Sequence, residues 1–314
     1  MTLFLSQLVR KIVFLVITIT SFFLALLLVP SNPHVQNSLL FAQSQKDSIL
    51  LNSEGDRIIF IGGSNVSFGI NSALIEEKYD LSSVNLGLHY GLGMEYYLKH
   101  CLSFVHPNDI VVVIPEYENY YGNFMHGKEE LLIIKTEAER CNLIDQLSFD
   151  QMKNLIPLVP SVFIKKLNIF TYIIDSDPND VYGVFSFNKF GDAYRHWGND
   201  SKHIPLLKLD NKNALNSKSF SLIENFTLQY KDKGAKLFCA FPPLNKGSYS
   251  LNTTALSNIY SSLENYDINL IGRPLDYCYA DSLFYDSPYH LNHTGALIRT
   301  ENLMSDIFAE NFRP

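Results

Sequence analysis

Five times along this sequence a short apolar run stops at a glycine or a proline. The runs cover 57–61, 83–86, 109–114, 236–241 and 268–271. They end at Gly62-Gly63, Gly87, Pro115, Pro242-Pro243 and Gly272. Runs as continuous and β-branched as 57–61 and 109–114 fit strands covered on both faces, as in a parallel sheet sandwiched by helices. Helical patterns fall between the runs, at about 70–79, 93–105, 215–233, 253–265 and 293–310. Strand–helix alternation of this kind predicts a three-layer α/β/α sandwich with a mainly parallel sheet. Such sheets bind ligands at the carboxyl ends of their strands.

Two stretches depart from the alternation. Residues 117–214 show no clean strand. They carry helical pieces at 129–140 and 148–155, Pro157 and Pro160, and a polar-aromatic segment at 186–192. They are expected to form an insertion beside the sheet, either a lid over the site or structural decoration. At the N-terminus, residues 12–29 are uninterruptedly apolar apart from Thr and Ser. Eighteen residues lie at the lower edge of what a bilayer-crossing helix needs. Arg10 and Lys11 precede the run and Pro30 ends it. The positive flank predicts a cytoplasmic N-terminus and an exported C-terminal domain, periplasmic or extracellular, on a single-pass anchor in the cell membrane. A cleaved signal sequence is the rival reading, but its apolar region is shorter and small residues follow it; a buried helix is the other. The expected organisation is a cytoplasmic tip and anchor at 1–30, a linker or juxtamembrane helix at 31–55, and one α/β domain at 56–314.

At 314 residues, with 46% hydrophobic and 18% charged residues, the chain is long and apolar enough to bury a substantial core. Its net charge of −7, without a basic cluster, argues against a nucleic-acid partner. The four cysteines, Cys101, Cys141, Cys239 and Cys278, form no CxxC pair, so neither a zinc nor a dithiol redox site is indicated, and paired and free thiols both stay open. No cofactor is expected.

The chemistry-bearing residues follow the strands. Ser64 comes directly after the first run and Gly62-Gly63, and before Asn65 and a helix. Glycines allow a tight turn, and a helix N-terminus offers free N–H groups where an oxyanion would form. The alternative is that Ser64 merely caps the helix, and Ser67 is a nearby competitor. A serine nucleophile needs a base. The segment 285–296 supplies Asp286 and His290, four residues apart on a Pro288-containing loop before the last helix. An Asp there can orient the imidazole while His takes the serine proton. His293 and Asp281 are the rival base and acid. A metal site using His290 and His293 would need both on one helix, and Thr294-Gly295 argues against that.

Together, Gly62-Gly63-Ser64-Asn65 after the first strand and Asp286…His290-Leu291-Asn292 before the last helix resemble the SGNH/GDSL hydrolase superfamily. The resemblance spans about 55–116 and 232–312. It implies a flavodoxin-like SGNH hydrolase fold, Ser64 as nucleophile, and Asp286 and His290 as its partners. It also implies an oxyanion hole built from backbone N–H groups, with Gly87 or Gly91 of Asn85-Leu86-Gly87-Leu88-His89-Tyr90-Gly91 as donors. Two departures stand out. Glu116 occupies the place where the family's third block carries a donating Asn, and a carboxylate cannot donate unless protonated; Asn119 or Asn65 are the candidate substitutes. Asp286 and His290 are also separated by three residues, where two are usual. The sequence is similar to divergent membrane-anchored relatives associated with bacterial envelope polysaccharides. The implied function is esterase or O-acyl (acetyl) transferase action on an ester-bearing envelope glycan or lipid. The alternative is a non-catalytic glycan-binding or assembly component of the envelope.

Overall fold

The computed structural model describes residues 2–27, 29–138, 147–174, 176–209 and 214–311. The chain begins with a long helix, α1 (Thr2–Leu27), which contains a 20-residue apolar stretch, Phe4–Phe23, long enough to cross a membrane and entirely unburied. The helix starts ten residues before the apolar run read from the sequence. Nothing in 2–11 breaks a helix, and Arg and Lys are good helix formers. The stretch read as a linker or juxtamembrane helix is packed: it forms Pro33–Gln36, a 3-10 turn Leu39–Ala42 and α2 (Gln43–Asn52). Leu39, Leu40, Ala42 and Leu50 join the hydrophobic core.

The α/β domain then unfolds in chain order: β1 (Arg57–Gly62), the single turn α3 (Ser64–Ser67), α4 (Ser72–Tyr79), β2 (Ser82–Asn85), α5 (Met94–Leu102) and β3 (Ile110–Ile114). After the insertion, which includes α6 (Val159–Lys166), come α7 (Ser217–Asp232), β4 (Lys236–Cys239), α8 (Lys246–Leu263), β5 (Asn269–Leu270), a hairpin of β6 (Phe284–Ser287) and β7 (His290–Leu291), and α9 (His293–Asn311). The central sheet has the order β2-β1-β3-β4-β5, with every pairing parallel. All six β1 residues are buried. Since successive side chains point to opposite faces, both faces of the sheet are covered. This is why the runs read as continuous apolar strings. Each fully buried Ile or Val contributes roughly 1.5–3 kcal/mol relative to exposure.

From β1 the chain moves to one edge at β2, then crosses back to β3 on the other side of β1. This reversal opens a crevice between the carboxyl ends of β1 and β3. Ser64 follows one of these ends and Glu116 the other. The insertion contributes no strand among its described residues, only isolated bridges, and polar groups tie it to the sheet. Asp192 accepts from Ser72 N–H (2.9 Å), Ser72 Oγ (2.8 Å) and Asn85 Nδ2 (2.9 Å). Lys46 Nζ from α2 donates to the carbonyls of Asn85 and Gly191 (3.0 and 2.6 Å), and burial pulls its pKa down to about 7.

Candidate active site

Ser64 owes its position to the close approach of two strand ends. A Cβ added at Gly62 (φ +156°) would lie 2.6 Å from the Ile114 carbonyl oxygen, and one at Gly63 would lie 2.6 Å from Glu116 Oε1. Only residues without side chains let the chain leave β1 so near β3. The residue capping α3 is Gly63, and no side-chain cap bond forms there. The reading of Ser64 as a helix cap therefore does not apply, because a capping side-chain oxygen accepts a first-turn N–H from the residue that precedes the helix. Ser64 Oγ instead donates to Glu116 Oε1 at 3.4 Å.

Asp286 and His290 lie on short paired strands rather than on the loop expected from the sequence. They sit on opposite arms of the β6–β7 hairpin, whose register is irregular between Phe284 and Ser287. The hairpin turns through Pro288 and Tyr289, which accommodates the three-residue separation. His290 Nδ1 lies 3.0 Å from Asp286 Oδ1, and Tyr182 OH donates to Asp286 Oδ2 at 2.6 Å and lies 3.1 Å from the same Nδ1. With a carboxylate beside Nδ1, that nitrogen carries the proton and Nε2 the lone pair. Burial acts to raise the Asp286 pKa, but the bonds from His290 and Tyr182 outweigh it and hold the carboxyl below its usual value. The imidazole stacks on Phe68 (centroids 4.3 Å apart), the residue that ends the turn begun by Ser64. One turn therefore positions both the serine and the face of the histidine.

Ser64, His290, Glu116, Glu118, Tyr182 and His89 line a single cavity of about 370 Å³, together with Leu39, Tyr90 and Tyr289. No hydrogen bond joins Ser64 to His290 among the described residues; they share the cavity wall. Glu116 is buried, and its Oε1 also accepts from Asn65 N–H and Asn65 Nδ2, each at 3.4 Å. Burial, and then the neighbouring charge of Glu118, push its pKa up to about 8 against these donors. The Glu118 pKa is raised as well, chiefly by burial, although Tyr289 OH donates to it at 2.8 Å. A negative charge on the half-buried Glu118 thus works against ionisation of the buried Glu116. Burial also lowers the pKa of His89, with Glu130 opposing and His290 reinforcing the shift.

The residues expected to complete an oxyanion hole are otherwise engaged. Gly87 N–H donates to Asn85 Oδ1 (2.9 Å) and Gly91 N–H pairs with His89 Nδ1 (3.1 Å). Asn65 is fully buried and directs Nδ2 to the Ile114 carbonyl (3.2 Å) as well as to Glu116. Asn119 Nδ2 donates to the Glu116 backbone carbonyl (3.2 Å). None of the four lines the cavity. Each has found a protein partner, as buried polar groups generally do. The rival residues also lie off the cavity wall. Ser67 is buried, Asp281 accepts from Asn245 Nδ2 (3.0 Å), and His293 starts α9 and stacks on Trp197 (4.3 Å).

Three contributors were not legible as motifs. Tyr182 comes from the insertion, over a hundred residues before its partners. Phe68 was visible only as part of the helix start. Arg299 of α9 is buried beneath α3 and donates Nη1 to the Asn65 carbonyl at 2.8 Å; burial draws its pKa down to about 10. Cys101, Cys239 and Cys278 are free thiols, while Cys141 lies outside the described residues. Burial pushes Cys101 and Cys239 up to about 12, which suits packing rather than nucleophilic chemistry. Among the described residues no group of three or more His, Cys, Asp or Glu side chains is placed to hold a metal ion. Comparison with protein-family models and with curated proteins returned no match to this chain.

Proposed function

We propose that this chain is a membrane-anchored serine esterase or O-acyltransferase of the SGNH/GDSL type, acting on an ester of an envelope glycan or lipid. The observation that carries the reading is the meeting of Ser64 and the hydrogen-bonded Asp286–His290 pair on one cavity at the carboxyl end of β1.

In this reading Ser64 Oγ turns from Glu116 to His290 and attacks the ester carbonyl. His290 Nε2 takes the serine proton, and Asp286, supported by Tyr182, stabilises the resulting imidazolium. The tetrahedral intermediate places a negative oxygen in the cavity. Glu116, neutral when its pKa stands near 8, donates a hydrogen bond there in place of the family's Asn. His290 then protonates the departing alkoxide. Water or a sugar hydroxyl resolves the acyl-serine, with His290 again accepting the proton. α1 anchors the enzyme, and Arg10 and Lys11 favour a cytoplasmic N-terminus and an exported domain.

The second reading, a non-catalytic glycan-binding or assembly component, draws on the bond of Ser64 to Glu116 rather than to His290. Reaction of the full-length protein with a fluorophosphonate probe, beside turnover of p-nitrophenyl acetate, separates the two. The enzyme reading expects labelling that disappears in Ser64→Ala and falls sharply in His290→Ala. Absence of labelling and of turnover across several short esters would leave the binding reading standing.

A further inference from the structure

Large apolar side chains outside α1 are exposed mostly one at a time, which is ordinary for a protein surface. Residues 164–174 are the exception. Ile164, Leu167, Ile169, Phe170, Ile173 and Ile174 are all exposed within eleven residues, with Ile173 at 79% and Phe170 at 72%. A cluster of this density marks a contact surface.

Its position relative to α1 indicates what it contacts. Phe163 of α6 is buried and stacks on Phe23, the last residue of the apolar stretch of α1 (centroids 5.9 Å apart). Polar contacts fix the neighbouring chain. Lys166 Nζ donates to the Val29 carbonyl and Tyr172 OH to the Pro30 carbonyl, both at 2.8 Å, while Glu137 pairs with Lys166 (2.8 Å) and accepts from Ser31 N–H (2.7 Å). The insertion is therefore held at a fixed height on the end of α1. Phe23 lies four residues, about 6 Å, inside the helix end at Leu27. If α1 spans a bilayer, α6 stands level with its last turn, within the ~5–10 Å to which interfacial helices bury their apolar faces.

We infer that residues 164–174 form a membrane-docking surface, with the bilayer interface beside α1 as the occupant of this apolar face. The inference rests on the anchor reading given under Proposed function, and it adds a second, lateral contact that fixes the orientation of the domain. Because the insertion also supplies Tyr182, and the juxtamembrane turn supplies Leu39, the cavity is held rigidly with respect to the membrane plane. The Leu39 N–H bonds the Tyr182 carbonyl at 2.7 Å, which joins these two wall elements directly.

The test is tryptophan quenching by brominated lipid. The full-length protein, with its single tryptophan replaced (Trp197→Phe), is reconstituted in phosphatidylcholine/phosphatidylglycerol vesicles with and without phosphatidylcholine brominated near the headgroup end of its acyl chain or, for the deeper reference in α1, near the end of that chain. Reporters are introduced one at a time as Phe170→Trp and Ile173→Trp, with Phe14→Trp in α1 and Leu251→Trp on α8 as references; all four positions are exposed. The inference expects about two-fold or greater quenching at 170 and 173, as for a residue within the acyl boundary, and little at 251. Quenching at 14 with 170 and 173 no more quenched than 251 would overturn the docking surface while leaving the anchor intact, and would assign the face to a protein partner. Lack of quenching at 14 would remove the anchor, and the docking inference with it.

Discussion

Glu116→Gln tests the most unusual feature of the cavity, a buried carboxyl whose pKa stands at about 8 against an ordinary 4.5. A raised pKa means that the folded protein holds a proton the unfolded chain has released between those two values. The stability tied to this proton is fully present below 4.5 and is lost as pH rises through about 8. At ~1.36 kcal/mol per unit, a difference of 8 − 4.5 = 3.5 units is about 5 kcal/mol in total. Between about pH 5 and about pH 8 the loss amounts to about 3–4 kcal/mol. Gln has the same shape and cannot ionise, so Glu116→Gln should gain that much relative to the parent over this interval. Urea unfolding of both proteins at each end of the interval measures it. Activity gives an independent readout. Gln keeps a neutral donor, so Glu116→Gln should retain probe labelling and lose the alkaline limb near pH 8. Glu116→Ala should lower the acylation rate by about 10²-fold or more at neutral pH, the usual cost of one oxyanion donor. A stability difference between Gln and parent that stays flat across pH, or an alkaline limb that persists in Gln, would refute the reasoning.

Further outcomes follow from other contacts. Tyr182→Phe removes one of the two donors to Asp286; it should slow acylation about ten-fold, the equivalent of one hydrogen bond to a charged group, and displace the acid limb of the pH–rate profile while KM holds. A drop in thermal stability with an unmoved profile would assign Tyr182 to packing alone. Gly63→Ala places a Cβ 2.6 Å from Glu116 Oε1 and 3.0 Å from the Tyr90 Cα, so labelling of Ser64 should fall at least ten-fold in a protein whose far-UV circular dichroism is unchanged; normal labelling would show that the turn yields freely. Asp109→Ala leaves the buried Arg57, whose Nε bonds Asp109 Oδ1 at 2.9 Å, without its counter-charge and with only the Leu50 and Phe104 carbonyls and Ser53 Oγ as acceptors, and should cost about 3–5 kcal/mol in urea unfolding. A cost below about 1 kcal/mol would mean that water or the Leu50 and Phe104 carbonyls suffice for the guanidinium, and would refute the expected loss.

The inner strands β1, β3 and β4 were legible because a strand buried on both faces must be apolar at nearly every position, and that demand is written locally. The runs at 57–61 and 109–114 became β1 and β3 with ends shifted by a residue at most. The glycines after β1 marked the place where Ser64 leaves the sheet, and the intervening helices overlap their patterns, although α8 begins seven residues before the pattern at 253–265. α1 was legible as an apolar run, although its start was not, since Arg10 and Lys11 stop an apolar count without stopping a helix.

What the sequence alone determined is therefore the alternating α/β order, the apolar N-terminal helix and the residues that emerge at strand ends: Ser64, Glu116, and the Asp286–His290 segment. Tertiary structure decided how their polar atoms are shared. The β6–β7 hairpin joined Asp286 to His290, the insertion supplied Tyr182 from far along the chain, and neighbouring acceptors claimed the N–H groups of Gly87 and Gly91. Glu116 looked like a lost donor in sequence; only burial beside Glu118 raises its pKa enough to let it carry a proton. The physical reason for the division is range. Apolar periodicity records whether each residue meets water or core, whereas hydrogen-bond partners and the charge state of a buried acid are set by groups that come together only when distant segments close around them.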